Sequence, residues 1–170
     1  MRRARWESLS CRETSDGSPQ AGVGARHAAR LHLTPSASRL IRSARVAHLA
    51  TADANARPLV IPICFAFDGK EFFSPIDEKP KRLSPQRLKR VRNIEENSQV
   101  SLVIDRYNEN WRKLAYVLVS GRARILLTGQ KHRRAVNLLR RKYRQYRSMA
   151  IDQRPMIVIR PLGVKAWGSV

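Results

Sequence analysis

Carboxylates are scarce in this chain. Its 170 residues hold 13 Asp and Glu against 34 Lys and Arg, a formal net charge of +21. Such an excess points to an anionic partner: nucleic acid, an acidic membrane surface or a phosphorylated ligand. General use of arginine on the surface would give the same excess, and Arg is spread along the whole chain. Cysteine is scarcer still. Cys11 and Cys64 form no C-x-x-C pair, which argues against a disulfide framework and a zinc site. Cys64 lies in an apolar run and reads as a small core residue. No apolar stretch approaches the roughly 18 residues of a membrane span, and no signal-peptide core follows the N-terminus. A cytoplasmic, reducing location and no membrane partner are expected.

Aromatic residues make up only 6% of the chain, and no strand carries the paired aromatic platform on which bases stack. Nucleic acid is therefore not an expected partner. A basic nucleic-acid-binding barrel stays open as an alternative because residues 131–147 carry eight Lys and Arg. The plainer reading of that helix is a charged outer face whose long stems cover the barrel end. The usual catalytic constellations are also missing. No Ser-His-Asp or Cys-His set sits in a recognisable nucleophile turn, and no His, Asp and Glu have metal-ligand spacing. Of the four histidines, His48 alternates with Val46 and Ala50 in a strand, where a packed or pocket-wall histidine is commoner than a base. No residue is assigned as catalytic and none as a metal ligand. If the protein is an enzyme, a cofactor does the chemistry.

What is present suffices for one domain, since 42% hydrophobic residues can fill a core at this length. Residues 1–33 read as a basic, disordered extension or the product of an upstream start codon, and 34–170 as the folded domain. Thr34 and Pro35 open a helix as cap and first residue. Strands follow at 45–51 and 58–67, and Pro62 puts the second at an edge or a bulge. Asp68-Gly69 is a hairpin turn into 71–74. Ser84 and Pro85 open a second helix, with Leu83 packing on Leu88 as a staple. Strands at 99–105 and 113–127, the latter with a bulge at Gly121, precede a helix at 131–147 and a last strand at 155–164. This order predicts a mainly β fold with flanking helices: a six-stranded antiparallel split barrel, not a doubly wound parallel sheet.

The chemistry concentrates between the hairpin and the second helix. From Lys79 to Asn93 there are seven basic residues and no acid. Arg87, Lys89, Arg90 and Arg92 lie on the helix and read as a solvated face. Lys79, Lys81 and Arg82 lie in the loop, stiffened by Pro80 and close to the helix start, as a phosphate cradle requires.

Several segments together resemble a known family. They are Arg45-Val46-Ala47-His48-Leu49-Ala50-Thr51, then Asp53, Arg57-Pro58 and Pro62; Lys79-Pro80-Lys81-Arg82; Arg92-Asn93-Ile94 and Asn97; and Val100-Ser101-Leu102-Val103-Ile104-Asp105. Their order resembles the pyridoxamine 5′-phosphate oxidase-like split-barrel flavin proteins. The stretch from Asp105 to Trp111 and the closing Val164-Lys165-Ala166-Trp167 resemble the subgroup using the deazaflavin coenzyme F-420. The resemblance implies a homodimer with FMN or F-420 at its interface and hydride transfer to or from a small organic substrate. It places the phosphate near Lys79, Lys81 and Arg82. The ring would lie near Arg57, Pro58, Val60, Pro62, Phe73 and Ser74, closed by Tyr107, Trp111 and Trp167 of the second subunit. The abundant cations favour the long anionic tail of F-420. A carrier of cofactor or haem without turnover is the alternative on the same fold.

Overall fold

The computed structural model describes residues 33–76 and 88–169. The extension 1–32 and the loop with Lys79, Lys81, Arg82, Ser84 and Pro85 lie outside the described residues. Helix α1 (Pro35–Ser43) opens as expected: the Thr34 hydroxyl accepts the Ala37 N–H at 3.1 Å, and proline occupies the first turn. Strands β1 (Ala47–Ala52) and β2 (Pro58–Ile63) pair antiparallel. The short β3 (Ala66–Phe67) and β4 (Phe72–Pro75) form the Asp68-Gly69 hairpin. There the Asp68 carboxylate accepts the N–H groups of Lys70 and Glu71, and Gly69 takes φ 96°. Helix α2 (Lys89–Glu96), β5 (Gln99–Arg106), β6 (Ala115–Leu126), α3 (Gln130–Lys142) and β7 (Met156–Gly168) complete the chain.

The strands form one antiparallel sheet in the order β2-β1-β5-β6-β7-β4-β3. It is the split barrel, with seven strands where six were expected. The extra strand arises because the apolar run 58–67 turns a corner at Cys64 and Phe65. Its first half pairs with β1 and its second half with β4, at opposite ends of the sheet. Tyr143 holds that corner. Its hydroxyl accepts the Phe65 N–H at 2.9 Å and stands within donating distance of the Phe65 and Arg45 carbonyls. Burial pushes this phenol up to about 12. Beside it, burial and then the Arg45 charge pull Lys142 down to about 8. The Phe65 ring, 3.8 Å from the Lys142 ammonium, works the other way. Tyr143→Phe strands a buried N–H and is expected to cost about 1–3 kcal/mol in urea unfolding.

Two further boundaries differ from expectation. Leu88 is extended and sits at the N-cap of α2 with no side-chain cap, so the described helix begins at Lys89. The basic helix stops at Lys142. Tyr143 is extended and a 3-10 turn (Arg144–Arg147) follows, which still buries Tyr146. The barrel core lies between the inner sheet face and the helices α1 and α2, with Leu49, Leu102, Ile104, Val117, Val119 and Ile157 at its centre. Helix α3 covers the other face of the sheet only at the β3-β4-β7 end, where Ala135, Val136 and Leu139 pack on Phe73, Met156 and Val158. The rest of that outer face, over β2, β1, β5 and β6, carries no helix among the described residues.

Candidate functional site

The site region begins at the turn between β1 and β2. Asp53 is buried, and one of its oxygens accepts the N–H groups of Asn55 and Arg57, both at 3.0 Å. The other accepts Lys89 Nζ at 2.7 Å and Arg57 Nε at 2.8 Å. The Lys89 bond above all, with the Arg57 N–H and guanidinium, holds this carboxyl well below the ordinary aspartate value of 3.8 despite its burial. One cation of the basic stretch, Lys89, is thus tied to this turn together with Arg57. Lys89 is bound to Asp53 and is not free on a solvated face, and Arg57 gives its Nε to Asp53 while its side chain stays 70% exposed. Nearby, the Asn93 amide donates to Thr51 Oγ1 at 3.0 Å, clamping α2 to β1.

The stabilisation from Asp53 has a definite sign. Its folded value lies below its unfolded one, so the contribution is complete above about pH 5 and is lost as pH falls through the acid range. Asp53→Asn is therefore expected to lower the urea midpoint at pH 7, and the gap to the native protein should narrow near about pH 3.

The open outer face is built by register. Val60 pairs with Ala50, Ala50 with Ser101, Ser101 with Ser120 and Ser120 with Gly163, which gives a flat row of small residues. The neighbouring row runs Pro62, His48, Val103, Leu118, Lys165. Beyond it lie Asp105, Tyr116 and Trp167. His48 Nδ1 stands 3.6 Å from Asp105 Oδ1, both side chains half exposed. Tyr116 and Trp167 stack with centroids 5.6 Å apart.

Apart from Arg57, the predicted residues divide into four groups. Pro58, Val60 and Pro62 lie exposed on β2, the free edge of the sheet, where Pro62 had been expected. Tyr107, Trp111 and Trp167 are also exposed, at 67%, 75% and 53%, in the β5–β6 connection and near the end of β7. Phe73 and Ser74 are not brought to this face. Phe73 is fully buried beneath α3 and Ser74 is 3% exposed, because β4 is covered on both sides. Lys79, Lys81 and Arg82 lie outside the described residues. His48, Asp105, Tyr116, Ser101 and Ser120 were not selected from the sequence. The pairing register, not any motif, places them on this face.

Of the first two groups, Pro58, Val60 and Pro62 lie on β2, Tyr107 and Trp111 in the β5–β6 connection, and Trp167 on β7. From β2 to β7 there are four strand spacings, about 19 Å along the sheet.

This architecture defines a split barrel with an uncovered sheet face. The chain belongs to the pyridoxamine 5′-phosphate oxidase family, whose sequence profile matches residues 33–168. No curated protein matches the sequence at a significant level. Among solved structures, a conserved protein of Mycobacterium tuberculosis superposes with a TM-score of 0.65 at 15% identity, over 85% of this chain and 91% of its own. HutZ, the haem storage protein of Vibrio cholerae, gives 0.62 at 16%, over 80% and 94%. An F-420 reductase gives 0.55 at 20%, over 75% and 94%. At these identities the likeness is one of fold. No helix among the described residues is long and apolar enough to cross a membrane.

Proposed function

We propose that this protein is an oxidoreductase that holds FMN or coenzyme F-420 between two copies packed through their open sheet faces. The observation that carries the reading is the separation of Pro58, Val60 and Pro62 on β2 from Trp167 on β7, four strand spacings or about 19 Å along the sheet. One ring system cannot touch both within a chain. A two-fold arrangement of the open face on its own copy lays Tyr107, Trp111 and Trp167 of one protomer toward Pro58, Val60 and Pro62 of the other. The flat row Ala50, Ser101 and Ser120 suits such close approach.

The residues also fit the ring chemically. Among the described residues β2 is an edge of the sheet, so backbone C=O groups and the Val60 N–H lie beside an apolar strip, matching a planar ring with a hydrogen-bonding rim. Lys79, Lys81 and Arg82 supply charge for the phosphate, and their number favours the longer anionic tail of F-420. When bound, the cofactor supplies hydride transfer. The protein's part is to bind, orient and shield the ring.

A titration of the purified protein with FMN and with F-420, side by side, tests the reading. Binding of one with low-micromolar or better affinity, and turnover with a reductant and acceptor, is the expected result. Lys79→Ala with Lys81→Ala should weaken binding about tenfold or more while the dimer persists. If neither cofactor binds, the reading is lost.

A second reading, cofactor holding without turnover, rests on His48. Its Nδ1 faces Asp105, which leaves the other ring nitrogen to ligate a haem iron. A Soret band on haemin addition that disappears in His48→Ala would favour it.

A further inference from the structure

We propose that the outer surface of α3 and the 3-10 turn after it binds the phosphate backbone of nucleic acid, without reading sequence. Between Gln130 and Arg154 the chain holds nine Lys and Arg and one acid, Asp152. That acid is taken by Arg140, whose guanidinium lies 2.6 Å from it and also donates to the Tyr146 and Met149 carbonyls. Arg140 therefore fixes the turn. Arg141, Arg144 and Arg147 are exposed, and among the described residues no carboxylate pairs with them.

These arginines line two adjoining hollows. One, of about 440 Å³, is bounded by Asn137, Arg140, Arg141 and Arg147. The other, of about 430 Å³, is bounded by Arg144, Gln145, Arg147 and Ser148. Arg147 belongs to both. Guanidinium groups around these shallow, open hollows match phosphate oxygens in charge and hydrogen bonding, and their spread over two adjoining hollows suits a ligand with repeated phosphates.

The same surface argues against a membrane. A helix that lies on lipid exposes an apolar face. Here Ala135, Val136 and Leu139 are spent on the sheet, and no large hydrophobic residue between 128 and 161 is exposed. The absence of stacking platforms noted from the sequence concerns base recognition. It extends to this surface, where Tyr143 and Tyr146 are buried at 5% and 4%. Binding should therefore be backbone-directed and indifferent to sequence. The surface is built on α3 and not on the open sheet face, so it is independent of the cofactor reading.

The test uses the full chain, a labelled short DNA duplex and a labelled single-stranded RNA, each of arbitrary sequence, with fluorescence anisotropy between about 50 and 200 mM NaCl. Arg141→Gln/Arg144→Gln/Arg147→Gln is expected to weaken binding at least about tenfold and to flatten the log K against log salt slope by about two for the RNA and about three for the duplex. Arg39→Gln/Arg42→Gln/Arg106→Gln removes three charges elsewhere and should cost less than about threefold. Unchanged melting temperature of the triple variant shows that it folds. The proposal is overturned by an equal loss in both variants, which would mean diffuse charge. It is equally overturned by absence of binding at the low salt end, or by binding confined to phosphatidylserine vesicles in a flotation assay.

Discussion

Ser101→Arg is expected to convert the protein to a monomer and to abolish cofactor binding while leaving the fold intact. Ser101 sits at the centre of the open face, opposite Ala50 on β1 and Ser120 on β6. Its side chain points away from the core, because Val100 and Leu102 on either side are buried at 6% and 0%. An arginine there has room in a single chain. In a two-fold interface it buries a charge without a partner, at about 3–5 kcal/mol, and symmetry brings in a second copy of it. Dimer affinity should therefore fall by about a thousandfold or more. Cofactor affinity should fall with it, since the aromatic margin and the β2 edge belong to different protomers in this arrangement. Analytical ultracentrifugation and the cofactor titration read the two effects separately. A variant that stays dimeric shows that the copies meet elsewhere. A monomer that still binds cofactor tightly shows that one chain suffices.

How far the sequence announced this arrangement depends on where each signal originates. Local chemistry was legible. The cap at Thr34, the Asp68-Gly69 turn, the edge position of Pro62 and the bulge at Gly121 each follow from the backbone needs of one or two residues, and each is found. Features decided by distant partners were not legible. The corner at Cys64 and Phe65 depends on a hydroxyl 78 residues away. Lys89 reads as surface until Asp53, 36 residues earlier, is seen to hold it.

The same division explains the site. On β2, exposed Pro58, Val60 and Pro62 alternate with more covered neighbours, so their face could be read from the chain. On β4 all four residues, Phe72, Phe73, Ser74 and Pro75, are buried, because core covers one side and α3 the other. A strand with no alternation names no face, and Phe73 and Ser74 are set beside the ring by the family resemblance alone. His48 shows the converse. Its apolar neighbours two residues away, Val46 and Ala50, point to a packed or pocket-wall position, and they share with it a face that the described residues leave open: Val46 is 45% exposed. Alternation identifies which residues share a face. It does not say whether that face is covered by the chain itself or by a second copy.

Gly121→Val should be strongly destabilising to the sheet. Gly121 lies at the β-bulge between β6 and β7, where the register shifts after Ser120. A Cβ placed on it would stand 2.5 Å from the Arg160 carbonyl oxygen and 3.3 Å from Ile159 Cγ2. The nearer atom is backbone and cannot swing aside, so β7 must move off β6 along the longest strand pairing of the protein. Even Gly121→Ala should cost about 2–4 kcal/mol, and valine more, against a total stability of about 5–15 kcal/mol. Gly163, across the same bulge opposite Ser120, is the control: nothing lies within 4 Å of its Cβ position. Gly163→Ala should change stability by less than about 0.5 kcal/mol. Urea unfolding of the two alanine variants decides the matter, because the composition change is identical and only the clash differs. Equal midpoints would show that the bulge relaxes freely. A large gap would mean that Gly121 sets the path of β7, and hence the position of Trp167 at the margin of the open face. The Gly121→Ala protein should then bind cofactor more weakly even under conditions where it is fully folded.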